Sequence, residues 1–225
     1  MDRFLVGNVK NNSSDKFIDV GLSSATVLFY QNFMSSDDAN KFYDVFEKLK
    51  YWEKKDIKIA GKICKQNRFS CHFASDPNLH FRYSGTNNTG HIFTKELLDI
   101  KDRIEKLLQN KWKFNYCLLN YYPDGSSNIG MHSDDERDLD GPIASVSLGV
   151  SRYFDFHPIE SIFTKENNVV PGKKRIQLTN GSMVLMMPNT QKYWKHGIPI
   201  ESKIDKGRIN LTFRVVKNNH GDNKL

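Results

Sequence analysis

Hydrophobic positions follow two different periods along the chain. In the first half they recur at helical spacing. Ser35-Ser36-Asp37-Asp38 offers an N-cap and an acidic first turn ahead of Phe42, Val45, Phe46 and Leu49, which predicts a helix. Thr94 can cap a second helix whose apolar face holds Leu97, Leu98, Ile104, Leu107 and Leu108. Residues 57–85, between them, read as short strands and turns. From Lys113 onward the period drops to two. Strand-like runs cover 114–122, 142–150, 152–157, 174–179, 182–187 and 208–216. Turn signals at Pro123-Asp124-Gly125, Asp140-Gly141-Pro142, Pro171-Gly172 and Asn180-Gly181 separate them. Short strands at this spacing predict an antiparallel sandwich or barrel, not βαβ units. The fold class is therefore α+β, mainly β.

Period two also sorts side chains by face. In the last strand, Ile209, Leu211, Phe213 and Val215 form an apolar face, and Arg208, Asn210, Thr212 and Arg214 form the other. A polar strand face is commonly just a solvent face. Two arginines framing Asn and Thr point instead to an anion site, because guanidinium matches a carboxylate bidentately. Leu118, Asn120 and Tyr122 likewise share a face, where Asn and Tyr can bond a small ligand or serve as satisfied polar groups of the core.

His132 and Asp134 stand two apart on one strand and can hold one metal. With the distal His196 they make two histidines and a carboxylate, the facial arrangement of non-haem Fe(II) oxygenases, which leaves positions open for a cosubstrate and oxygen. His157 competes for the third position, although it ends a run with no anion site beside it. Histidines 72, 80, 91 and 220 have no such spacing.

Composition adds bounds. The chain has 225 residues, enough for one domain with a sizeable core. No run approaches the roughly 18 apolar residues of a spanning helix, and the N-terminus has no apolar stretch of the kind a secretory signal carries. Three cysteines make no disulfide scaffold and favour a reducing compartment. An intracellular protein, nuclear or cytoplasmic and monomeric, is expected, with no membrane partner. Residues 1–16 read as a loose arm, 17–216 as one domain and 217–225 as a polar tail. Lys and Arg number 33 against 26 Asp and Glu, a formal charge of +7. That balance permits a polyanionic partner, but charge alone favours a plain lysine-rich surface.

Taken together, NYYPDGSSNIGMHSDDERDLDGPIASVSLG at 120–149, KHGIP at 195–199 and GRINLTFR at 207–214 resemble the AlkB family of Fe(II)- and 2-oxoglutarate-dependent dioxygenases. The likeness is greatest to the homologues that repair alkylated DNA bases, and it extends more loosely back to about residue 57. It implies a double-stranded β-helix (jelly-roll) core over 113–216, N-terminal helices and a nucleotide-recognition lid over about 56–90. It implies Fe(II) on His132, Asp134 and His196, with O2 as co-reactant. It implies 2-oxoglutarate held by Asn120, Tyr122, Arg208, Asn210, Thr212 and Arg214, where Arg214 pairs with the distal carboxylate and Arg208 helps hold Asp134. It implies that Asp135, beside Glu136, reads the exocyclic amine of a damaged base. Phe81 and Tyr83, in LHFRYSG, would wall the extruded base, and Arg68 would contact nucleic acid. The segment DIKIAGK at 56–62 is similar to a loop that inserts an aromatic wedge into duplexes. Ala60 occupies the wedge position and cannot fill a vacated base site, which leaves strand preference open. The implied reaction is oxidative demethylation of bases such as N1-methyladenine and N3-methylcytosine in DNA, releasing formaldehyde and succinate. An RNA demethylase and an oxygenase of a non-nucleic-acid substrate are the alternatives.

Overall fold

A computed structural model describes residues 17–217 except 60, 61, 78, 84 and 85; for 57–59, 62, 63, 80–83 and 86–89 it describes the backbone alone. Strands β1 (Ile18–Asp19) and β2 (Val27–Tyr30) precede helix α1 (Ser36–Glu47). Then come β3 (Asp56–Ile59), β4 (Lys62–Lys65), β5 (Phe69–Ala74), β6 (His80–Tyr83), β7 (Thr86–Thr89), β8 (His91–Ile92) and helix α2 (Lys95–Leu107). The second half holds β9 (Tyr116–Tyr122), β10 (Ile129–His132), β11 (Ile143–Gly149), β12 (Arg152–Pro158), α3 (Glu160–Lys165) and β13 (Lys174–Leu178). It ends with β14 (Ser182–Met186), α4 (Thr190–Tyr193), β15 (Trp194–Ile198) and β16 (Arg208–Arg214).

The strands form an eight-stranded sheet in the order β1-β2-β14-β11-β16-β9-β5-β8 and a four-stranded sheet in the order β10-β15-β12-β13. Two hairpins, β3-β4 and β6-β7, stand as separate two-stranded sheets. The predicted helix caps form: Ser35 Oγ accepts from the Asp38 N–H and Thr94 Oγ1 from the Leu97 N–H. The helices bury Phe42, Phe46, Leu97, Ile100 and Ile104 against Ile209, Leu211, Phe213 and their neighbours on one face of the large sheet. Each such side chain contributes about 1.5–3 kcal/mol of burial. Val45 and Leu98, assigned to these faces from the sequence, are exposed, because Ile100 and Ala39 take the inward positions. The opposite face meets the small sheet through Phe29, Val184, Met186, Phe154, Phe156, Trp194 and Ile198.

The barrel core reaches further back than residue 113. β5, inside the segment expected to be lid, is a strand of the large sheet and sets Ser70 opposite Asn120 and His72 opposite Leu118. β2 extends the far side through β14. Gly149 turns the chain between β11 and β12 at φ +89°, and a Cβ there would meet the Gly207 carbonyl oxygen at 2.5 Å. That close approach seats the start of β16. The arm at 1–16, residues 218–225 of the tail, and Ala60 lie outside the described residues.

Candidate active site

Two histidines face each other because β10 pairs antiparallel with β15 in a register that sets His132 opposite His196. Gly197 lets the strands close: a Cβ there would lie 2.9 Å from the Ile129 carbonyl oxygen. Asp134 follows β10, and its N–H donates to Gln191 Oε1 at 2.9 Å. His132 Nδ1 sits 2.9 Å from the Gly130 carbonyl oxygen, which fixes the ring and leaves Nε2 toward Asp134, 3.5 Å from Oδ1. His196 Nε2 lies 4.0 Å from Asp134 Oδ2. One ligand atom from each of the three residues lies within 4.8 Å of the others. His157, the competing ligand, stands opposite Lys195 on β12 and is not part of this cluster.

The electrostatics suit a divalent cation. Asp134 Oδ2 accepts from Arg214 Nη2 at 2.8 Å, while its buried Oδ1 has no hydrogen-bond partner among the described residues. Burial alone would push the Asp134 carboxyl up; Arg214 and the two histidines outweigh it and hold the group well below the usual carboxylate range. Burial, then the neighbouring His132, lowers His196 to about 3, so it carries the neutral imidazole that ligates metals. An orphaned carboxylate oxygen flanked by two imidazole edges fits Fe(II).

Below the triad runs the polar face of β16. Arg208, Asn210, Thr212 and Arg214 are 1%, 7%, 6% and 2% exposed, so this face is interior and not solvent-facing. Asn120 stands opposite Asn210 and Tyr122 opposite Arg208. Asn210 Nδ2 donates to Ser145 Oγ at 2.7 Å, Thr212 Oγ1 to Asn210 Oδ1 at 2.8 Å and Arg208 Nη2 to Ser147 Oγ at 2.8 Å. The Arg208 guanidinium lies 5.3 Å from the Tyr122 ring centroid, and its buried Nε and Nη1 have no hydrogen-bond partner among the described residues. Burial lowers its pKa to about 10. A desolvated cation with two unused donors is a receptor for an anion. Leu118, Ile129, Phe154, Met186 and Ile198 complete the cavity with apolar surface.

Three assignments change. Asp134 is held by Arg214, not by Arg208. The chain after Asp134 is laced to the end of β16 by Asp140 N–H to the Val215 carbonyl and Lys217 N–H to the Asp138 carbonyl, which brings Arg214 to the metal end and leaves Arg208 at the far end. Arg68 is buried at 4% exposure and donates from Nε to Asn120 Oδ1 at 2.7 Å. It supports the inner face and offers no surface charge to a phosphate backbone. Asp135 is exposed and lines a groove outside the cavity, whereas Glu136 is half-buried with Oε2 lacking a hydrogen-bond partner among the described residues. Burial pushes the Glu136 carboxyl up, opposed by Arg214. Phe81 and Tyr83 fall on β6, whose side chains lie outside the described residues.

The sequence reading missed Ser145, Ser147, Gln191 and Arg152. The two serines alternate with Ala144, Val146 and Leu148, so the period-two pattern carried their signal. Arg152 is fully buried. It donates to Glu201 Oε1 at 2.9 Å and to the carbonyls of Asp124, Ser127 and Pro199 at 3.1, 2.9 and 2.7 Å. Its guanidinium also stands 5.9 Å from the Tyr122 ring centroid, so it braces the cavity end that Arg208 occupies.

Comparisons with known proteins agree with this geometry. The family described as 2OG-Fe(II) oxygenase superfamily matches residues 26–214. The "DNA oxidative demethylase ALKBH2" of Arabidopsis thaliana is 34% identical over 225 aligned residues, covering 92% of this chain and 71% of that protein. Its namesake in Homo sapiens is 35% identical over 162 residues, covering 71% of this chain and 60% of that one. The solved structure of OsALKBH1 superposes with a TM-score of 0.57 at 19% identity, covering 84% of this chain and 96% of the other, a likeness of fold. The chain therefore belongs to the 2OG-Fe(II) oxygenase superfamily and, within it, to the AlkB family: it is an Fe(II)- and 2-oxoglutarate-dependent dioxygenase.

Proposed function

We propose that the enzyme demethylates N-alkylated bases in DNA, with N1-methyladenine and N3-methylcytosine as substrates. The observation that carries the reading is the triad His132, Asp134 and His196 set above a buried, arginine-framed polar strand face. Relatives named DNA oxidative demethylase support the choice of substrate. Iron, 2-oxoglutarate and O2, when bound, would supply hydroxylation of the N-methyl carbon, with 2-oxoglutarate converted to succinate and CO2 and the hydroxymethyl group released as formaldehyde.

The protein's part is positioning and charge. His132, Asp134 and His196 hold the iron. Arg208, with Tyr122, takes the distal carboxylate of 2-oxoglutarate through its unused donors. Asn120, Asn210 and Thr212 line the same cavity as Arg208 and the His132, Asp134 and His196 cluster. Arg214 keeps Asp134 ionised. The apolar wall excludes water, which strengthens each of these interactions. Asp135 and Glu136 directly follow the ligand Asp134, with Asp135 in the groove that shares His132 with the cavity; a carboxylate there would accept from an exocyclic amine and tolerate a cationic methylated base. Phe81 and Tyr83 serve as walls for that base on the strength of their sequence alone. The base leaves its stack to reach the iron, at a cost of a few kcal/mol that is smaller for a damaged one.

The test is formaldehyde and succinate release from N1-methyladenine and N3-methylcytosine oligonucleotides, as DNA and as RNA, single- and double-stranded. Turnover on methylated DNA is expected. A protein that decarboxylates 2-oxoglutarate yet leaves every methylated oligonucleotide intact would refute the assignment.

A further inference from the structure

Beside the cavity lies a second, more open groove that shares His132 with it. Its floor and walls are Met131, Asp135, Ile159, Ile162, Lys192 and Lys195. The groove joins the edge of the small sheet to α3 and α4, two short helices in positions the sequence reading left unassigned. Strand alternation explains its charge. Trp194 and His196 turn inward and are buried, so Lys195, between them, turns outward and is exposed. Lys192 is engaged: its Nζ lies 2.8 Å from Glu166 Oε1 and 2.9 Å from the Tyr193 hydroxyl. Lys195 forms no ion pair among the described residues. The groove thus offers one exposed ammonium with no ion-pair partner among the described residues, the Asp135 carboxylate in the same lining, and an apolar wall of Ile159 and Ile162, beside the expected iron ligand His132.

We infer that this groove carries the substrate strand next to the extruded base, with Lys195 contacting the flanking phosphate and Ile159 and Ile162 lying against the neighbouring nucleotide. The inference rests on the reading of a nucleic-acid substrate. This combination is complementary to a phosphodiester chain, because the backbone is anionic at every residue while sugars and bases present apolar surface. Lys192, fixed by Glu166 and Tyr193, shapes the wall and adds a weaker field. A strand held here has its next nucleotide at the mouth of the iron site, within reach of Asp135. With Arg68 buried, the phosphate contact expected of that residue passes to Lys195.

The experiment uses the full chain, free of metal, and a fluorescently labelled N1-methyladenine DNA oligonucleotide. Anisotropy is measured across a salt series for wild type, Lys195→Glu, Lys195→Gln and Lys111→Glu. The last removes an equal charge from the exposed turn after α2, remote in sequence from the groove. Lys195→Gln is expected to weaken binding about fivefold and Lys195→Glu about tenfold, as for one exposed charge contact and its reversal. The slope of log affinity against log salt should become shallower by about 0.7, the share of one phosphate on a single strand. With iron and 2-oxoglutarate supplied, KM for the oligonucleotide should rise while kcat holds. Unchanged affinity and slope in both Lys195 variants, or an equal loss in Lys111→Glu, would overturn the groove. A wild type that binds the oligonucleotide with this salt dependence but never demethylates it would leave the groove standing and sink the demethylase reading instead.

Discussion

Removing Arg214 should expose how the metal site holds its carboxylate. The Arg214 and Asp134 side chains are each 2% exposed and meet at 2.8 Å. Arg214→Met preserves bulk but leaves the buried Asp134 carboxylate without its guanidinium partner. Breaking a buried pair from one side costs about 3–5 kcal/mol. The double variant Asp134→Asn, Arg214→Met removes both charges and should recover much of this, giving a coupling energy of about 2–3 kcal/mol in a double-mutant cycle. The assay is urea unfolding at pH 7.5 with a chelator present, reading midpoints at constant m-value. The pH matters for sign. Because the folded carboxyl lies below its unfolded value of about 3.9, the pair's contribution is complete above that value and is lost as pH falls below it. A bound divalent cation replaces the missing positive charge, so Mn(II), a redox-quiet substitute for Fe(II), should stabilise Arg214→Met more than wild type. An Arg214→Met cost under about 1 kcal/mol, or single effects that merely add, would refute the account.

Arg208→Leu removes the receptor at the far end of the cavity, so KM for 2-oxoglutarate should rise more than about tenfold while KM for the oligonucleotide stays put; a parallel rise in both would count against that role. Arg152→Leu removes a buried guanidinium that bonds Glu201 and the carbonyls of Asp124, Ser127 and Pro199. It should cost about 3 kcal/mol or more and lower Tm by more than about 6 °C, read by calorimetry, with Arg152→Lys recovering only part. His72, 5% exposed and beside the Tyr116 hydroxyl, is held near pKa 3 by burial, with Lys55 and Arg214 adding to the effect. As pH falls from about 6.5 toward 3 the unfolded state takes up the proton first, so stability should drop by up to about 1.4 kcal/mol per pH unit. His72→Phe should flatten that decline in urea midpoints, and parallel curves for the two proteins would dismiss His72 as its source.

Local chemistry was readable from the sequence wherever one strand or one cap carried it. The Ser35 and Thr94 caps, the apolar and polar faces of β16 and the shared face of Leu118, Asn120 and Tyr122 all follow from spacing within a single element. Features that needed partners did not. Which arginine meets Asp134 depends on the lacing of 138–140 to 215–217, a contact between segments far apart in the chain. The inward position of Arg68 depends on β5 joining β9, which a short run flanked by turns could not announce. Strand β15 has no counterpart in the sequence pattern because YWKHGIP alternates poorly, and β10, expected to carry both His132 and Asp134, ends at His132; its ladder with β15 shifts register between Ile129 and His132 to set the two histidines opposite each other.

That ladder has a consequence for the life of the cofactor. Among the described residues β10 is the outermost strand of the small sheet and pairs on one side, with β15. His132 rides on it with 28% of its side chain exposed, while Asp134 and His196 are buried. The three ligands therefore differ in shelter: Asp134 and His196 are buried, whereas His132 is part-exposed on an edge strand, where local opening is easiest. Iron lost from the enzyme should leave by the His132 side, and amide exchange over Ile129–His132 should slow more than elsewhere when metal is added. The protein would then carry its oxidising centre behind a door hinged on one strand, which makes reloading easy and makes edge fraying the rate that limits how long each iron stays.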